Sequence, residues 1–203
     1  MYSVHEMFYG IQGEGHHSGM PAVFVRFSSC NLWSGKEEDR ENALCKICDT
    51  TFHGTGGAYG GEYTAGQLVE QILALPNSQN VIFTGGEPLL HLKKAVVTKL
   101  QKAGSSVHVE TNGTLDLHFE VDWVTMSPKT KKVNLKRADE IKLLFPMNEV
   151  TDWEWFPARH RYIQPVWCDD REKRERNYWM AHLACCVYGW HLSVQSQKFY
   201  GAK

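Results

Sequence analysis

The sequence lacks a hydrophobic run long enough to cross a membrane. No stretch approaches the roughly 20 apolar residues that a membrane-spanning helix needs. The opening segment, MYSVHEMFYG, also lacks the basic region and following apolar run of a secretory signal. We therefore expect a cytoplasmic protein that has no membrane partner.

An excess of charge of one sign is also missing. The 22 Lys and Arg residues nearly balance the 23 Asp and Glu residues, which gives a net charge of −1. Without a basic field the chain has no long-range attraction for nucleic acid, so we expect no direct nucleic-acid partner. Its 203 residues, of which 42% are apolar, indicate a single globular domain over 1–203.

The six cysteines are not expected to form disulfides, because thiols stay reduced in the cytoplasm. Three of them are close in sequence, with Cys30 followed by Cys45 and Cys48 in a Cys-x-x-Cys pair. Such a pair can chelate a metal. Buried structural thiols, a Cys3His zinc site that includes His53, and an iron–sulfur cluster with one open iron all fit this arrangement. The spacing alone does not separate zinc from iron.

Short β-branched runs alternate with helical patterns along the chain. The strand candidates are 22–28, 81–84, 107–110, 123–126, 141–145, 161–164 and 191–195. The helix candidates are 64–75, 92–103 and about 170–188. This alternation predicts an α/β fold with a mainly parallel sheet, open or partly closed into a barrel. Two segments, 31–63 and 146–160, are interpreted as loops inserted into that frame.

Polar motifs follow four of the predicted strands, namely TGGEP at 84–88, ETNG at 110–113, SPK at 127–129 and QP at 164–165. Ligands bind at the carboxyl ends of parallel strands, so these motifs and the cysteine loop predict one converging site. In TGGEP, Gly85 and Gly86 would let the backbone approach a ligand, and Glu87 would accept hydrogen bonds from an ammonium group. The alternative for TGGEP is an ordinary strand-to-helix turn.

This ordered set of motifs resembles the radical S-adenosylmethionine (SAM) superfamily. Within it, the chain is similar to the 7-carboxy-7-deazaguanine synthase family of the queuosine precursor pathway, from EMFYGIQGEG at 6–15 to LSVQSQKFYGAK at 192–203. The fourteen residues between Cys30 and Cys45 are a long-insert variant that occurs in this family. The resemblance implies one radical SAM domain, a partial, open (β/α) barrel of about six parallel strands with its cluster loop at about 31–63.

The resemblance also implies the chemistry. Cys30, Cys45 and Cys48 would bind a [4Fe-4S] cluster whose open iron takes SAM. A flavodoxin- or ferredoxin-type reductant would then drive cleavage of SAM to a 5′-deoxyadenosyl radical. Hydrogen abstraction from C6 of 6-carboxy-5,6,7,8-tetrahydropterin and ring contraction with loss of ammonia would give 7-carboxy-7-deazaguanine. The alternatives are a radical SAM activase that acts on a protein glycine, and a zinc-binding interaction module. A homodimer is expected by analogy.

The remaining site residues follow from the same resemblance. The expected SAM contacts are Ile47, Cys48, Asp49, Gly86, Glu87, Ser127, Pro128, Lys129, Gln164, Pro165, Val166 and Trp167. The expected pterin contacts are Ile11, Gln12, Gly13, Glu14, Arg26, Thr84 and the terminal carboxylate of Lys203.

Two further residues carry specific expectations. Arg26 would clamp the substrate carboxylate, unless it forms a surface ion pair. Thr50 is implied as the protein ligand of a Mg²⁺ ion. Family members often have His where this chain has Gln197, a side chain that cannot titrate near neutrality.

Overall fold

The computed structural model describes residues 1–202, so the predicted contact of Lys203 lies outside the described residues. Residues 1–202 form one mixed sheet and four α-helices. The strands are β1 (Tyr2–Ile11), β2 (Pro21–Phe27), β3 (Gly61–Tyr63), β4 (Asn80–Gly85), β5 (Ser106–Thr111), β6 (Trp123–Met126), β7 (Ala138–Phe145), β8 (Ala158–Pro165) and β9 (His191–Leu192). The helices are α1 (Ala65–Leu73), α2 (Lys94–Lys102), α3 (Arg171–Tyr188) and α4 (Ser196–Tyr200).

The sheet order is β3-β1-β2-β4-β5-β6-β7-β8-β9. All pairs from β2 to β9 are parallel, whereas β1 pairs antiparallel with both β2 and β3. β3 and β9 end the sheet at opposite edges, so the barrel is open. The predicted α/β class with a mainly parallel, open sheet is confirmed. Six long parallel strands match the expected number, and the two-residue β9 extends them.

Strand β1 was not among the predicted strands. Its residues alternate between buried and more exposed positions over Tyr2 to Glu6, as a half-buried strand should. The pattern is obscured because a charged residue, Glu6, occupies a buried position, where it forms an ion pair with Arg26 of β2. The short β3 and α4 were also not predicted.

The first half of the sheet is covered on its outer face by α1 and α2. Leu68, Ile72 and Leu100 from these helices pack on Val25 and Phe83 in one apolar core. A capping box starts α1, because Thr64 and Gln67 exchange hydrogen bonds between side chain and backbone. This core covers the outer face of the sheet, so the inner face stays available to form a site.

The second half of the sheet follows a different plan, because no α-helix connects β5 to β6, β6 to β7 or β7 to β8. The outer face there is covered by α3 and by the Trp-rich connection, which contains a 3₁₀ helix (Val150–Trp153). Trp153 and Phe156 are fully buried on this face. The predicted loop at 146–160 is therefore a core segment, and β8 begins within it.

No helix in residues 1–202 is long and apolar enough to cross a lipid bilayer.

Candidate active site

A row of polar side chains crosses the inner face of the sheet near the carboxyl ends of its strands. The strand register aligns Arg26 with Thr84, Glu110 with Thr125, and Thr125 with Glu140. Thr84 Oγ1 donates a hydrogen bond to Glu110 Oε2 at 3.1 Å, which joins the two parts of the row. Because side chains alternate across a strand, the residues between these positions face the apolar cores.

Arg26, Thr84, Glu110 and Thr125 of this row line a cavity of about 730 Å³, and Glu140 lies outside it. Most of the predicted site residues line it: Ile11, Gln12, Gly13, Glu14, Arg26, Cys30, Cys45, Ile47, Cys48, Asp49, Thr50, Thr84, Gly86, Ser127, Lys129 and Gln164. The structure thus brings the cysteine loop, the strand-end motifs and the Gln12–Glu14 segment to one place. The cavity is large enough for more than one small-molecule ligand.

Five predicted SAM contacts do not line the cavity, namely Glu87, Pro128, Pro165, Val166 and Trp167. The buried Glu87 carboxylate lies beneath the cavity floor. It accepts hydrogen bonds from Thr111 Oγ1 at 2.7 Å, from Asn112 N at 2.8 Å and from Leu89 N at 3.0 Å. Burial raises the pKa of this carboxyl. Its acceptor capacity is used to join TGGEP to ETNG, so its predicted contact with an ammonium group stays a prediction.

The two glycines of TGGEP serve the cysteine loop. A Cβ on Gly86 would lie 2.0 Å from Ser29 O and 2.8 Å from Cys30 N. A Cβ on Gly85, whose φ is +118°, would lie 2.4 Å from Phe27 N. The close approach that glycine permits here is therefore between the end of β4 and the backbone that leads into Cys30, whereas the sequence argument assigned it to a ligand.

The three cysteines of the predicted cluster motif all line the cavity as free thiols. Burial raises the pKa of the Cys30 and Cys48 thiols, and a neighbouring cysteine adds to the shift in each case: Cys48 acts on Cys30, and Cys45 acts on Cys48. No group of three or more His, Cys, Asp or Glu side chains within residues 1–202 converges closely enough to hold a single metal ion. His53 is exposed and does not line the cavity.

Lys129 provides a positive charge beside these thiols. Its buried ammonium donates hydrogen bonds to Ser127 Oγ at 2.6 Å and to Ser127 O at 2.9 Å. Burial lowers the pKa of Lys129, and Cys45 and Cys48 oppose that shift when they are thiolates. The SPK motif therefore folds on itself at the end of β6 and places a cation on the cysteine side of the cavity.

Glu14 and Lys142 form a buried ion pair on the opposite side. The Glu14 carboxylate also accepts hydrogen bonds from the side-chain amides of Gln164 at 3.1 Å, Gln195 at 3.0 Å and Gln197 at 2.9 Å. Burial alone would raise the pKa of Glu14, but the Lys142 ammonium and the amides of Gln195 and Gln197 lower it to about 2. Lys142 is held charged in turn, because Glu14, Glu110 and Glu140 raise its pKa.

Sequence reasoning did not assign Lys142 to the site and placed Glu110 there only as part of ETNG, without a role, although both line the cavity. Glu110 accepts a hydrogen bond from Gln12 Nε2 at 2.8 Å and so holds the predicted pterin-binding segment. Each residue carried a signal. Lys142 is a cation inside the apolar run IKLLF, and Glu110 opens the ETNG motif. A charged residue within a buried strand needs a partner, and here the partner is part of the site.

Arg26 is also paired, but not at the surface. Its Nε donates a hydrogen bond to Glu6 Oε1 at 3.1 Å, and the guanidinium side chain is 19% exposed. The pair lines the cavity beside Phe8 and Phe24, whose rings stack with their centroids 5.0 Å apart. One end of the cavity therefore combines a cation with a flat aromatic surface.

Comparison with known proteins gives a consistent picture. No family model matches the chain. A 7-carboxy-7-deazaguanine synthase from Caulobacter vibrioides is 41% identical over 98% of both chains. One from Bordetella pertussis is 40% identical over the same shares. The chain belongs to the 7-carboxy-7-deazaguanine synthase family. The crystal structure of QueE from Escherichia coli superposes with a TM-score of 0.68 at 28% identity, and the match covers 96% of this chain and 94% of that one.

The C-terminal segment is included in the length that the chain shares with its synthase relatives, and it closes one side of the cavity. Ser196 N and Ser196 Oγ both donate to Gly13 O, at 3.1 Å and 3.0 Å. Lys198 forms an ion pair with Asp49, next to Cys48, at 2.8 Å. The Phe199 and Trp167 rings meet edge to face at 5.6 Å. In this synthase fold, α4 therefore connects the Gln12–Glu14 segment to the cysteine loop.

Proposed function

We propose that this chain converts 6-carboxy-5,6,7,8-tetrahydropterin to 7-carboxy-7-deazaguanine, with release of ammonia, as a radical SAM enzyme of the queuosine precursor pathway. The observation that carries the proposal is the near full-length match to the synthase family. The cavity supports it, because three thiols and a row of polar side chains face the same space.

The residues present fit a [4Fe-4S] cluster with SAM. A cluster takes each thiolate on a different iron, so its three ligands surround a volume instead of meeting at one point. Cys30, Cys45 and Cys48 line one cavity, and the buried cation of Lys129 offsets the negative charge of their thiolates. When bound, the cluster and SAM supply the carbon radical that abstracts hydrogen from the substrate.

The SAM side of the cavity is formed by the residues around the cysteines. It is lined by the backbone at Ile47, Asp49 and Gly86 and by the side chains of Ser127 and Lys129. Gln164 lines the same cavity from the end of β8. We assign them to SAM. Pro128, Pro165, Val166 and Trp167 stand outside the lining, so any contact they make with the adenosine needs a shift of the loops that follow β6 and β8.

The substrate is a flat heterocycle with one carboxylate, and the other end of the cavity has matching chemistry. The Arg26 guanidinium can take the carboxylate, exchanging part of its contact with Glu6 for a two-pronged hydrogen bond. The backbone at Ile11, Gln12 and Gly13 can pair with the pterin edge. We place the pterin ring next to Thr84 and Glu14, which both line the cavity. Lys142 keeps Glu14 ionised, so that Glu14 acts as an acceptor.

A Mg²⁺ ion is the third proposed component. Thr50 lines the cavity two residues after Cys48, where its hydroxyl could bind a cation shared with substrate oxygens. One neutral oxygen is a weak site alone, and substrate and water must complete the octahedron. An external reductant of the flavodoxin or ferredoxin type and a homodimeric state complete the proposal.

The decisive experiment is anaerobic reconstitution followed by turnover. The wild-type protein should bind roughly four irons per chain and, with SAM, Mg²⁺, dithionite and the pterin, give a deazapurine by mass spectrometry. Cys45→Ala should lose both the iron and the turnover. Cys186→Ala is the matched control, because Cys186 is exposed and lies on the outer helix α3.

Each other outcome identifies a specific error. SAM cleavage without a deazapurine would refute the substrate and leave open an activase that acts on a protein glycine. A colourless protein with one zinc per chain would support the interaction module. Retention of iron and turnover by Cys45→Ala would refute the assignment of the cluster ligands.

A further inference from the structure

A cluster of aromatic side chains lies beneath the cavity, on the inner face of the sheet towards the amino ends of the strands. We refer to His16, His17, His108 and His160, which surround Trp123, as the histidine cluster. His16 stacks on Trp123 with ring centroids 5.0 Å apart and lies 4.0 Å from His160. His17 meets Trp123 at 4.3 Å and His108 at 4.7 Å. Nothing in the proposed chemistry uses these imidazoles.

Two of these histidines belong to the loop that carries the predicted pterin contacts. The loop, residues 12–20, closes on itself, because Gln12 N donates to Met20 O and Gly19 N donates to Gln12 O, both at 2.8 Å. Beyond Glu14, Gly15 N donates to Ser193 Oγ at 2.9 Å and His16 N donates to Glu140 Oε2 at 2.9 Å. The rings of His16 and His17 then anchor the far side of the loop.

The cluster and the substrate site are neighbouring layers. A small cavity of about 10 Å³ lies between them, lined by Gln12 and Glu14 from above and by His17, His108 and Trp123 from below. This volume can hold at most about one water molecule. A displacement of His16 or His17 therefore moves the backbone at Gln12, Gly13 and Glu14 directly.

Three members of the cluster, His17, His108 and His160, favour the neutral form. Burial lowers the pKa of His17, and its neighbours His16 and His160 lower it further. Burial lowers the pKa of His108 to about 4 and also lowers that of His160. The other charged or titratable groups that act on these rings are Asp122, Asp139, Glu140, Arg159 and His191. When imidazoles 4 to 5 Å apart take up protons they become adjacent like charges, which repel one another.

We propose that the histidine cluster positions loop 12–20 for substrate binding, and that uptake of protons by the cluster releases the loop and weakens the affinity for the pterin. This inference rests on the proposed function, because it takes Gln12, Gly13 and Glu14 as pterin contacts. His16 and His160 are positioning residues that act through the loop. They take no part in SAM cleavage.

The direction of the pH effect follows from the lowered pKa values. In the docked loop the imidazoles of His17, His108 and His160 resist protonation, whereas release of the loop reduces their burial and moves their pKa values back towards the ordinary 6.5. Docking of loop 12–20 on the histidine cluster is therefore fully favourable above that pH, and it weakens as the pH falls below that value. The KM for the pterin should rise roughly 10-fold between about pH 7.5 and about pH 5.5, while kcat changes much less.

The test compares wild type with His16→Phe/His160→Phe under dithionite, with KM and kcat measured separately across this pH range. Phenylalanine keeps the ring contacts with Trp123 but takes no proton. Because His17 and His108 remain able to take up protons, the double variant should show a smaller rise in KM at about pH 5.5 than wild type. His118→Phe, at an exposed site away from the cluster, should keep the wild-type profile.

A second measurement uses the protein without its [4Fe-4S] cluster and does not depend on turnover. Amide hydrogen exchange over residues 13–17 is expressed as protection factors, because the intrinsic exchange rate itself falls on acidification. These protection factors should fall on acidification, and they should fall more in wild type than in the double variant. An acid rise in KM that is as large in the double variant as in wild type, or protection factors that do not change in wild type, would overturn the inference. Absence of deazapurine from wild type at neutral pH would instead refute the proposed function.

Discussion

At the scale of single residues, the main feature is a carboxylate held ionised inside the protein. Glu14 receives one ammonium and three amides, and the partners come from β7, β8 and the C-terminal segment. An ionised pair costs desolvation energy that good geometry offsets only when the remaining lone pairs are satisfied. Here every partner is another cavity-lining side chain, so stability and substrate binding depend on the same atoms.

Removal of the Lys142 ammonium should therefore destabilise the protein strongly. Lys142→Met leaves Glu14, Glu110 and Glu140 without their shared counter-charge, and we expect unfolding to become easier by about 3–5 kcal/mol. Urea unfolding of the protein without its [4Fe-4S] cluster measures the change in the free energy of unfolding. The double variant Glu14→Gln/Lys142→Met should regain much of this loss, and Lys132→Met, at an exposed lysine, should cost almost nothing.

The same pair predicts an acid effect with a definite sign. The pKa of Glu14 is about 2 in the folded protein, against 4.5 when unperturbed. A lowered folded-state pKa gives stability that is fully present above the unfolded value and is lost as the pH falls towards the folded one. The free-energy gap between wild type and Lys142→Met should therefore shrink between these two pH values. A gap that is constant with pH would mean that Glu14 is not ionised.

At the scale of elements, the end of β4 and the start of the cysteine loop behave as one unit. Gly86 N donates to Phe27 O at 3.2 Å and Glu87 N donates to Ser29 O at 2.7 Å, so TGGEP is bonded to the backbone just before Cys30. The carboxylate of Glu87 then ties this unit to the end of β5. The position of one cluster ligand thus depends on a motif more than fifty residues later in the chain.

A methyl group at Gly86 should disturb this unit. Its Cβ would lie 2.0 Å from Ser29 O, so the loop must move. We expect Gly86→Ala to lower the iron bound per chain after reconstitution and to destabilise the protein by about 1–3 kcal/mol.

The control for that experiment is Gly66→Ala in α1, where a new Cβ meets no atom within 4 Å. Alanine at this helical position should leave the iron content unchanged and stabilise the fold by about 0.5–1 kcal/mol. Equal iron content in the two variants would mean that TGGEP does not support the cysteine loop.

The elements that could be predicted from sequence are those whose cause is local. Runs such as AVFVRF and VIFT are buried strands, and the Thr64–Gln67 spacing indicates a helix start, because neighbouring residues decide both. Strand-end motifs could be placed at one edge because parallel strands end together. The pairing of Glu14 with Lys142 could not be predicted, since the two residues are 128 positions apart. The buried role of Trp153 was hidden for a similar reason, because no helical period marks the segment that contains it.

At the scale of the whole molecule, one sheet is shared by two large apolar cores, beside a small third cluster at Ala22, Phe24 and Ile82. The first lies under α1 and α2, and the second lies under α3 and the Trp153 segment. The inner face carries the polar site across both halves, from Arg26 to Gln164. We propose that residues 1–203 fold as one domain, because β5 and β6 pair directly between the two cores.

A core substitution tests this arrangement. Leu100→Ala opens a hole in the first core and should destabilise the protein by about 3–4 kcal/mol. Because Trp153 and Trp190 are buried in the second core, tryptophan fluorescence reports on the other half. The fluorescence and circular dichroism midpoints should shift together. Leu90→Ala, at a largely exposed position, should shift neither of them. Separate midpoints in Leu100→Ala would indicate two folding units.

The contact between Glu14 and Gln197 spans 183 residues of sequence. During synthesis, the first of these side chains therefore leaves the ribosome long before its partner exists. At roughly 5–20 residues per second, the delay is about 10–35 s. Throughout that interval the Glu14 carboxylate of the growing chain lacks its C-terminal partners, and the side of the cavity formed by Gln195 and Gln197 is missing. Premature termination between Leu192, where β9 ends, and Gln197 would leave every strand of the sheet in place but would remove the C-terminal side of the cavity.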